Sequence, residues 1–214
     1  MPREKTRSES PVASNSQLLG TVPTCTVHQR TAREIRTMVR DKLDVMLDTE
    51  TLGTRPGCVV MSVALVTVDE KQDWVTRNIS VEDQGIYGLV IDPLTLSWWG
   101  SQPESSYDAC RTNSVDLRPA LLAVNEWLVP LRAGRPVRLW CHGAGFDASI
   151  VEELYRRARV CCPWKYWDVR DTRTVYDLAG VDLRTYSAGV KHCALDDAKN
   201  QAAALLDALK RLGT

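Results

Sequence analysis

The sequence predicts an α/β domain in which a five-stranded mixed sheet is flanked by helices, and three observations predict it. Short apolar, β-branched runs recur at 43–47, 58–68, 74–81, 137–141 and 166–169. Apolar residues return at helical spacing over 116–131, 147–159, 172–179 and 195–212. Three strands precede the first long helix and the later strands alternate with helices, an order that mixes an antiparallel meander with parallel crossovers.

Each element has its own signal. Leu43-Asp44-Val45-Met46-Leu47 is a short apolar strand, closed by a turn through Gly53, Pro56 and Gly57. A short polar link over 69–73 joins the second strand to the third as a hairpin. The stretch 83–115, broken by Gly85, Gly88, Pro93, Gly100 and Pro103, is predicted to be irregular around Trp98-Trp99. Pro119 sits early in the next helix, where a missing N–H costs little. At the C-terminus Ala and Leu recur on one face of a long helix.

At 214 residues the chain has room for one sizeable core and a tail. Residues 1–42 mix Ser, Pro, Thr and charges with little sustained periodicity and read as a tail, with a short helix or linker over 31–41; the domain is expected over 43–214. Net charge is zero, but the first 40 residues carry a cationic excess, so the remainder is net acidic. That balance argues against a binder working by dense phosphate neutralisation and leaves a local basic funnel open. No apolar run is long enough to span a membrane. Seven cysteines, with neither a CxxC pair nor a secretory leader, point to a reducing cytoplasmic setting; vicinal Cys161 and Cys162 read as buried hydrophobes or as a redox or metal pair.

Three acidic motifs carry the chemistry. Asp48-Thr49-Glu50 follows the first strand, and alternation points residues 48 and 50 the same way. Convergent carboxylates repel unless a cation neutralises them or one is protonated, so the pair asks for a hard divalent metal; the plainer alternative is two acids capping a turn. Asp147 follows Leu139-Trp140-Cys141-His142-Gly143-Ala144-Gly145-Phe146 and opens a helix, either as its cap or as a ligand. Gly143 and Gly145 leave space for a close approach. His192-Cys193-Ala194-Leu195-Asp196-Asp197 begins the last helix, placing Asp197 on its first turn and His192 on the loop before it; either acid could instead serve the helix dipole, and a lone His is often structural.

Together these motifs resemble the DEDDh 3′→5′ exonuclease superfamily: Asp-x-Glu at 48–50, Phe-Asp at 146–147, and His-x4-Asp at 192–197. The surrounding words, Asp48-Thr49-Glu50-Thr51-Leu52-Gly53, Ser97-Trp98-Trp99, Trp164-Lys165-Tyr166-Trp167-Asp168-Val169-Arg170-Asp171-Thr172-Arg173-Thr174 and His192-Cys193-Ala194-Leu195-Asp196-Asp197-Ala198, are similar to its small mycobacterial-type exoribonuclease and phage-type exodeoxyribonuclease branch. The chain departs in having His142-Gly143-Ala144-Gly145 where Asn is common before Phe-Asp, and His192-Cys193-Ala194 where His-Asn-Ala is common.

The resemblance implies an RNase H-like fold and a 3′→5′ exonuclease acting on single-stranded or 3′-overhanging RNA or DNA, and it is compatible with a homodimer. It implies two divalent cations, Mg²⁺ or Mn²⁺, held by Asp48, Glu50, Asp147 and Asp197, with His192 as general base. Thr51, Leu52 and Phe146 are expected near the terminal sugar and base, and one of Trp98 and Trp99 to stack on a base while the other is buried. Asp171 is expected to orient a base or an arginine, or to cap a helix. Rival readings are a catalytically silent nucleic-acid-binding module and a hydrolase of short oligonucleotides or dinucleotide caps.

Overall fold

A computed structural model describes residues 42–213. The expected tail, and the helix or linker within it, lie outside these residues apart from Lys42. Five strands, β1 (Leu43–Thr51), β2 (Val60–Thr67), β3 (Trp74–Asn78), β4 (Val137–Cys141) and β5 (Val169–Asp171), form one sheet in the order β3-β2-β1-β4-β5. β1 pairs antiparallel with β2, and β2 with β3, whereas β1–β4 and β4–β5 are parallel, giving the predicted mixed sheet. The helices are α1 (Pro93–Trp99), α2 (Glu104–Ala109), α3 (Leu117–Arg132), α4 (Asp147–Ala158), α5 (Thr172–Ala179) and α6 (Ala194–Arg211).

Alternation along β1 divides the core. Val45 and Leu47 point to one face, against Leu121, Val124 and Leu128 of α3 and Ile150 and Leu154 of α4. Met46 points to the other face, with Tyr176 of α5 and Ala198, Ala202 and Leu205 of α6. Alanine at this contact lets the α6 backbone come close to the sheet, which later sets the reach of its side chains. The parallel seam is tied on the same face by Asp44, which accepts from Arg138 and, at 2.7 Å, from Trp140 Nε1.

Several expectations need correction. β1 runs on to Thr51, so Asp48-Thr49-Glu50 lies inside the strand; pairing with β2 continues through Thr51 opposite Val60, past a register shift between Glu50 and Thr51. β4 leaves β1 after Leu47 opposite Cys141, so the acidic end of β1 has a neighbour on one side only. The third strand stops at Asn78, and Ile79 forms an isolated bridge to Val115. The stretch expected to be irregular holds α1 and α2. Asp92 caps α1 through Leu94 N at 3.0 Å with Pro93 in its first turn, a start signal outweighed by the surrounding glycines and prolines. The fifth strand is Val169–Asp171, preceded by a 3-10 turn at Tyr166–Asp168. A three-residue edge strand is too short for alternation to set its bounds. Among the described residues no helix is long and apolar enough to cross a membrane.

Candidate active site

The carboxylates gather at the C-terminal ends of β1 and β4, where a mixed sheet opens a crevice at the change of strand direction. Asp48 and Glu50 leave β1 on one face, and the residues opposite them on β2, Ala64 and Ser62, are small. The register shift after Glu50 bends the strand end, as bulges do next to sites. Thr49, on the opposite face, donates its hydroxyl to Asp147 Oδ1 at 2.7 Å. Asp147 therefore does not cap α4: Phe146 holds the cap position without a side-chain bond, and Asp147, in the first turn, lies on the positive end of the helix dipole. Asp197 sits in the first turn of α6 and donates its N–H to Cys193 O at 2.9 Å.

These acids act on one another's ionisation. Burial, then the Asp147 and Glu50 charges, push Asp48 well above the carboxylate range; Gln201 opposes this by donating Nε2 to Asp48 Oδ1 at 2.7 Å. Burial and the Asp197 and Asp147 charges push Glu50 up to about 8. Burial raises Asp147 to about 6 against the pull of Thr49, and raises Asp197 as well. A buried set of mutually repelling oxygen donors fits hard divalent cations, which relieve the repulsion.

His192 joins the group. One ligand atom from each of Glu50, His192 and Asp197 lies within 4.8 Å of the others. The loop that carries this histidine, just ahead of α6, is tied down on several sides. Ser106 Oγ donates to Lys191 O at 2.7 Å, and the Cys110 thiol lies 3.3 Å from His192 O, tying the segment to α2. Asp196 accepts from Val190 N at 2.8 Å. Gly189 makes that turn possible: its φ is +82°, and a Cβ there would collide with the Asp196 carboxylate. His192 itself has φ +59°, a conformation few non-glycine residues adopt and one that recurs at functional sites. Its ring meets Trp98 edge-on at 5.0 Å, and burial and the Lys191 charge lower its pKa.

Beside the carboxylates lies a cavity of about 560 Å³, lined by Glu50, Thr51, Asp92, Leu94, Thr95, Trp98, Trp99 and Phe146. The tryptophans divide as expected. Trp98 is 43% exposed, whereas Trp99 is 3% exposed and donates Nε1 to Thr51 O at 2.9 Å. Leu52 departs from expectation: at 1% exposure it belongs to the core and does not line the cavity. Asp171 caps α5 through Arg173 N and also accepts from Ala144 N, both at 2.9 Å, so it shapes the turn leading to Asp147. Gly143, at φ +107°, is crossed by the Arg173 guanidinium, while Gly145 faces open space. Sequence reasoning missed Thr49, Gln201 and the Asp92–Thr95 wall. Gln201 had one signal, its position one helical turn after Asp197.

The raised carboxyls make the metal-free protein sensitive to pH. Glu50 rests at about 8 in the folded chain against an ordinary 4.5, so between these values the folded state binds more protons than the unfolded one. Its contribution is present below about 4.5 and is lost as pH rises through about 8. The melting temperature in EDTA should therefore fall across this window. Asp48→Asn should raise and flatten the profile, and Mn²⁺ should stabilise the wild type more at the alkaline end. A wild-type profile in EDTA that rises with pH would contradict this electrostatic picture.

A family model described as the 3′-5′ exoribonuclease Rv2179c-like domain matches residues 43–209. No curated protein sequence matches the chain. Among solved structures, the nuclease domain of 3′hExo, a DEDDh family member bound to rAMP, is 15% identical, with a TM-score of 0.51 over 79% of this chain and 92% of that one. E. coli exonuclease I in complex with a dA16 oligonucleotide is 14% identical, with a TM-score of 0.57 over 80% of this chain. Its zinc-bound complex with single-stranded DNA is also 14% identical, with a TM-score of 0.54 over 79% of this chain. The chain spans 42% and 40% of those two exonuclease I chains. These neighbours share the expected RNase H-like fold of DEDDh exonucleases. With its model matched across nearly the whole described domain, the chain belongs to the Rv2179c-like 3′-5′ exoribonuclease domain family and is a phosphodiester hydrolase of the 3′→5′ exonuclease type.

Proposed function

We propose that the protein removes nucleotides one at a time from the 3′ end of single-stranded or 3′-overhanging nucleic acid, using two Mg²⁺ or Mn²⁺ ions held by Asp48, Glu50, Asp147 and Asp197. One observation carries the reading: four acids from three elements are held together with raised pKa values, and His192 stands among them. When bound, such a pair of cations supplies an activated water and neutralises charge on the attacking and leaving oxygens. Asp48 has the other three acids around it and would be the ligand the two cations share. Glu50 and Asp197 would complete one site, and Asp147, already engaged by Thr49, would help to hold the other. All six described cysteines are free, in keeping with a reducing cytoplasmic setting.

His192 is assigned to take the proton from the attacking water at an imidazole nitrogen. Its lowered pKa favours the unprotonated nitrogen that a general base requires. The cavity beside Glu50 receives the terminal nucleoside, with Trp98 offering a partly exposed ring for stacking and Phe146 lining the wall. Leu52 acts from the core, where it supports the strand end. RNA is the first substrate to test, because the matched family is described as exoribonuclease.

Digestion of matched 5′-labelled RNA and DNA, single-stranded or with 3′ overhangs, in Mn²⁺, Mg²⁺ or EDTA should give a metal-dependent ladder shortening from the 3′ end. Asp48→Asn should abolish it with folding retained, and His192→Ala should slow it about 10²–10⁴-fold. Binding without cleavage in any metal would establish the silent module instead, and cleavage confined to the shortest oligonucleotides would establish the small-substrate hydrolase. Trp98→Ala should lower kcat/KM by the worth of one stacked base, about 1–3 kcal/mol. Trp99→Ala should instead destabilise the fold by about 3–5 kcal/mol, read by urea denaturation.

A further inference from the structure

Among the described residues two side-chain donors reach the active-site carboxylates from inside the fold, the Thr49 hydroxyl on Asp147 and the Gln201 amide on Asp48. We propose that Gln201 is a positioning residue of the metal centre: its Nε2 sets the Asp48 carboxylate, and its Oε1 accepts a hydrogen bond from the water shell of a cation held there. The inference rests on the two-cation reading above.

Gln201 follows Asp197 by one turn on the same face of α6. It is 7% exposed, and its Nε2 lies 2.7 Å from Asp48 Oδ1. The helix cannot easily slide at this point: Tyr176 Oη donates to Gln201 O at 2.8 Å, and Ala198 and Ala202 on either side are buried against the sheet. The amide orientation follows from chemistry. Turned over, Oε1 would face a carboxylate oxygen, which is repulsive whenever Asp48 is ionised, so the nitrogen takes that side.

A second glutamine shows what a purely structural one looks like here. Gln84, fully buried, accepts from Val60 N at 2.9 Å and donates to Val60 O at 2.7 Å and Ser80 O at 3.0 Å, so both ends of its amide are satisfied by backbone. Gln201 has a carboxylate at one end, and at the other Oε1 has no donor among the described residues. A buried acceptor without a donor calls for a missing partner. Water on a divalent cation turns its protons outward and needs acceptors, which matches an amide oxygen beside an ion ligand. Gln201, Asp197, His142 and Lys191 also line a second cavity of about 620 Å³, and a small rotation of the amide would bring Oε1 to water there.

The test uses the full chain, Mn²⁺ titration by calorimetry and a 5′-labelled oligonucleotide. Gln201→Met keeps the length of the side chain and removes both amide groups. Mn²⁺ affinity should fall about 10–100-fold, the usual cost of losing a partner behind a metal ligand. The turnover rate at fixed Mn²⁺ should fall with it and recover in part at high Mn²⁺, while KM for the oligonucleotide stays unchanged. Should Gln201→Met fail to fold, Gln201→Asn, with its amide withdrawn by one methylene, should show the same losses. A folded variant with wild-type Mn²⁺ affinity and rate overturns the proposal, even if its melting temperature in EDTA has dropped, since that is the signature of packing alone. If wild-type protein neither binds Mn²⁺ nor cleaves, it is the functional reading that fails.

Discussion

Mutual repulsion among Asp48, Glu50, Asp147 and Asp197 is the constraint around which the rest of the structure is arranged. Left to themselves, buried carboxylates separate, take up protons or find cations. Here the fold prevents separation. Two of the acids leave the same strand, a third is anchored by Thr49 from the back of that strand, and the fourth comes from a helix packed on the sheet through alanines. The burial that raises these groups also makes the site a local burden on metal-free stability, and a cation bound there would relieve it.

The two faces of the sheet divide the work. Helices α3 and α4 pack the larger apolar cluster and bring the N-terminus of α4, with Asp147, to the end of β4. On the other face α5 and α6 deliver Asp197 and Gln201, and the segment before α6 carries His192. That segment is tied to α2 through Ser106 and Cys110, so the stretch between β3 and α3 supports the histidine as well as walling the cavity with Trp98 and Trp99.

Much of this was legible because long elements repeat their signal. The alternation of 43–47, the helical spacing of 147–159 and the C-terminal alanine pattern each constrain many residues at once. The acids were legible by their spacing, which the fold preserves. What escaped notice depends on single contacts. Leu52 is adjacent to the site in sequence, yet the strand bend turns it into the core. Thr49 carries no signal of its own in the sequence, because its role needs α4 to arrive at the back of the strand. Helices α1 and α2 were hidden by glycines and prolines that in fact mark their boundaries, and β5 by its brevity.

The central claim is that the four carboxylates hold two cations while His192 remains free to act on water. Soaking crystals in Mn²⁺ and collecting anomalous diffraction at the manganese edge tests it most directly. Two peaks about 4 Å apart are expected, both against Asp48, with the His192 imidazole outside bonding distance of either. A single peak ligated by Glu50, Asp197 and the His192 ring would contradict it, because that histidine could then no longer serve as the base.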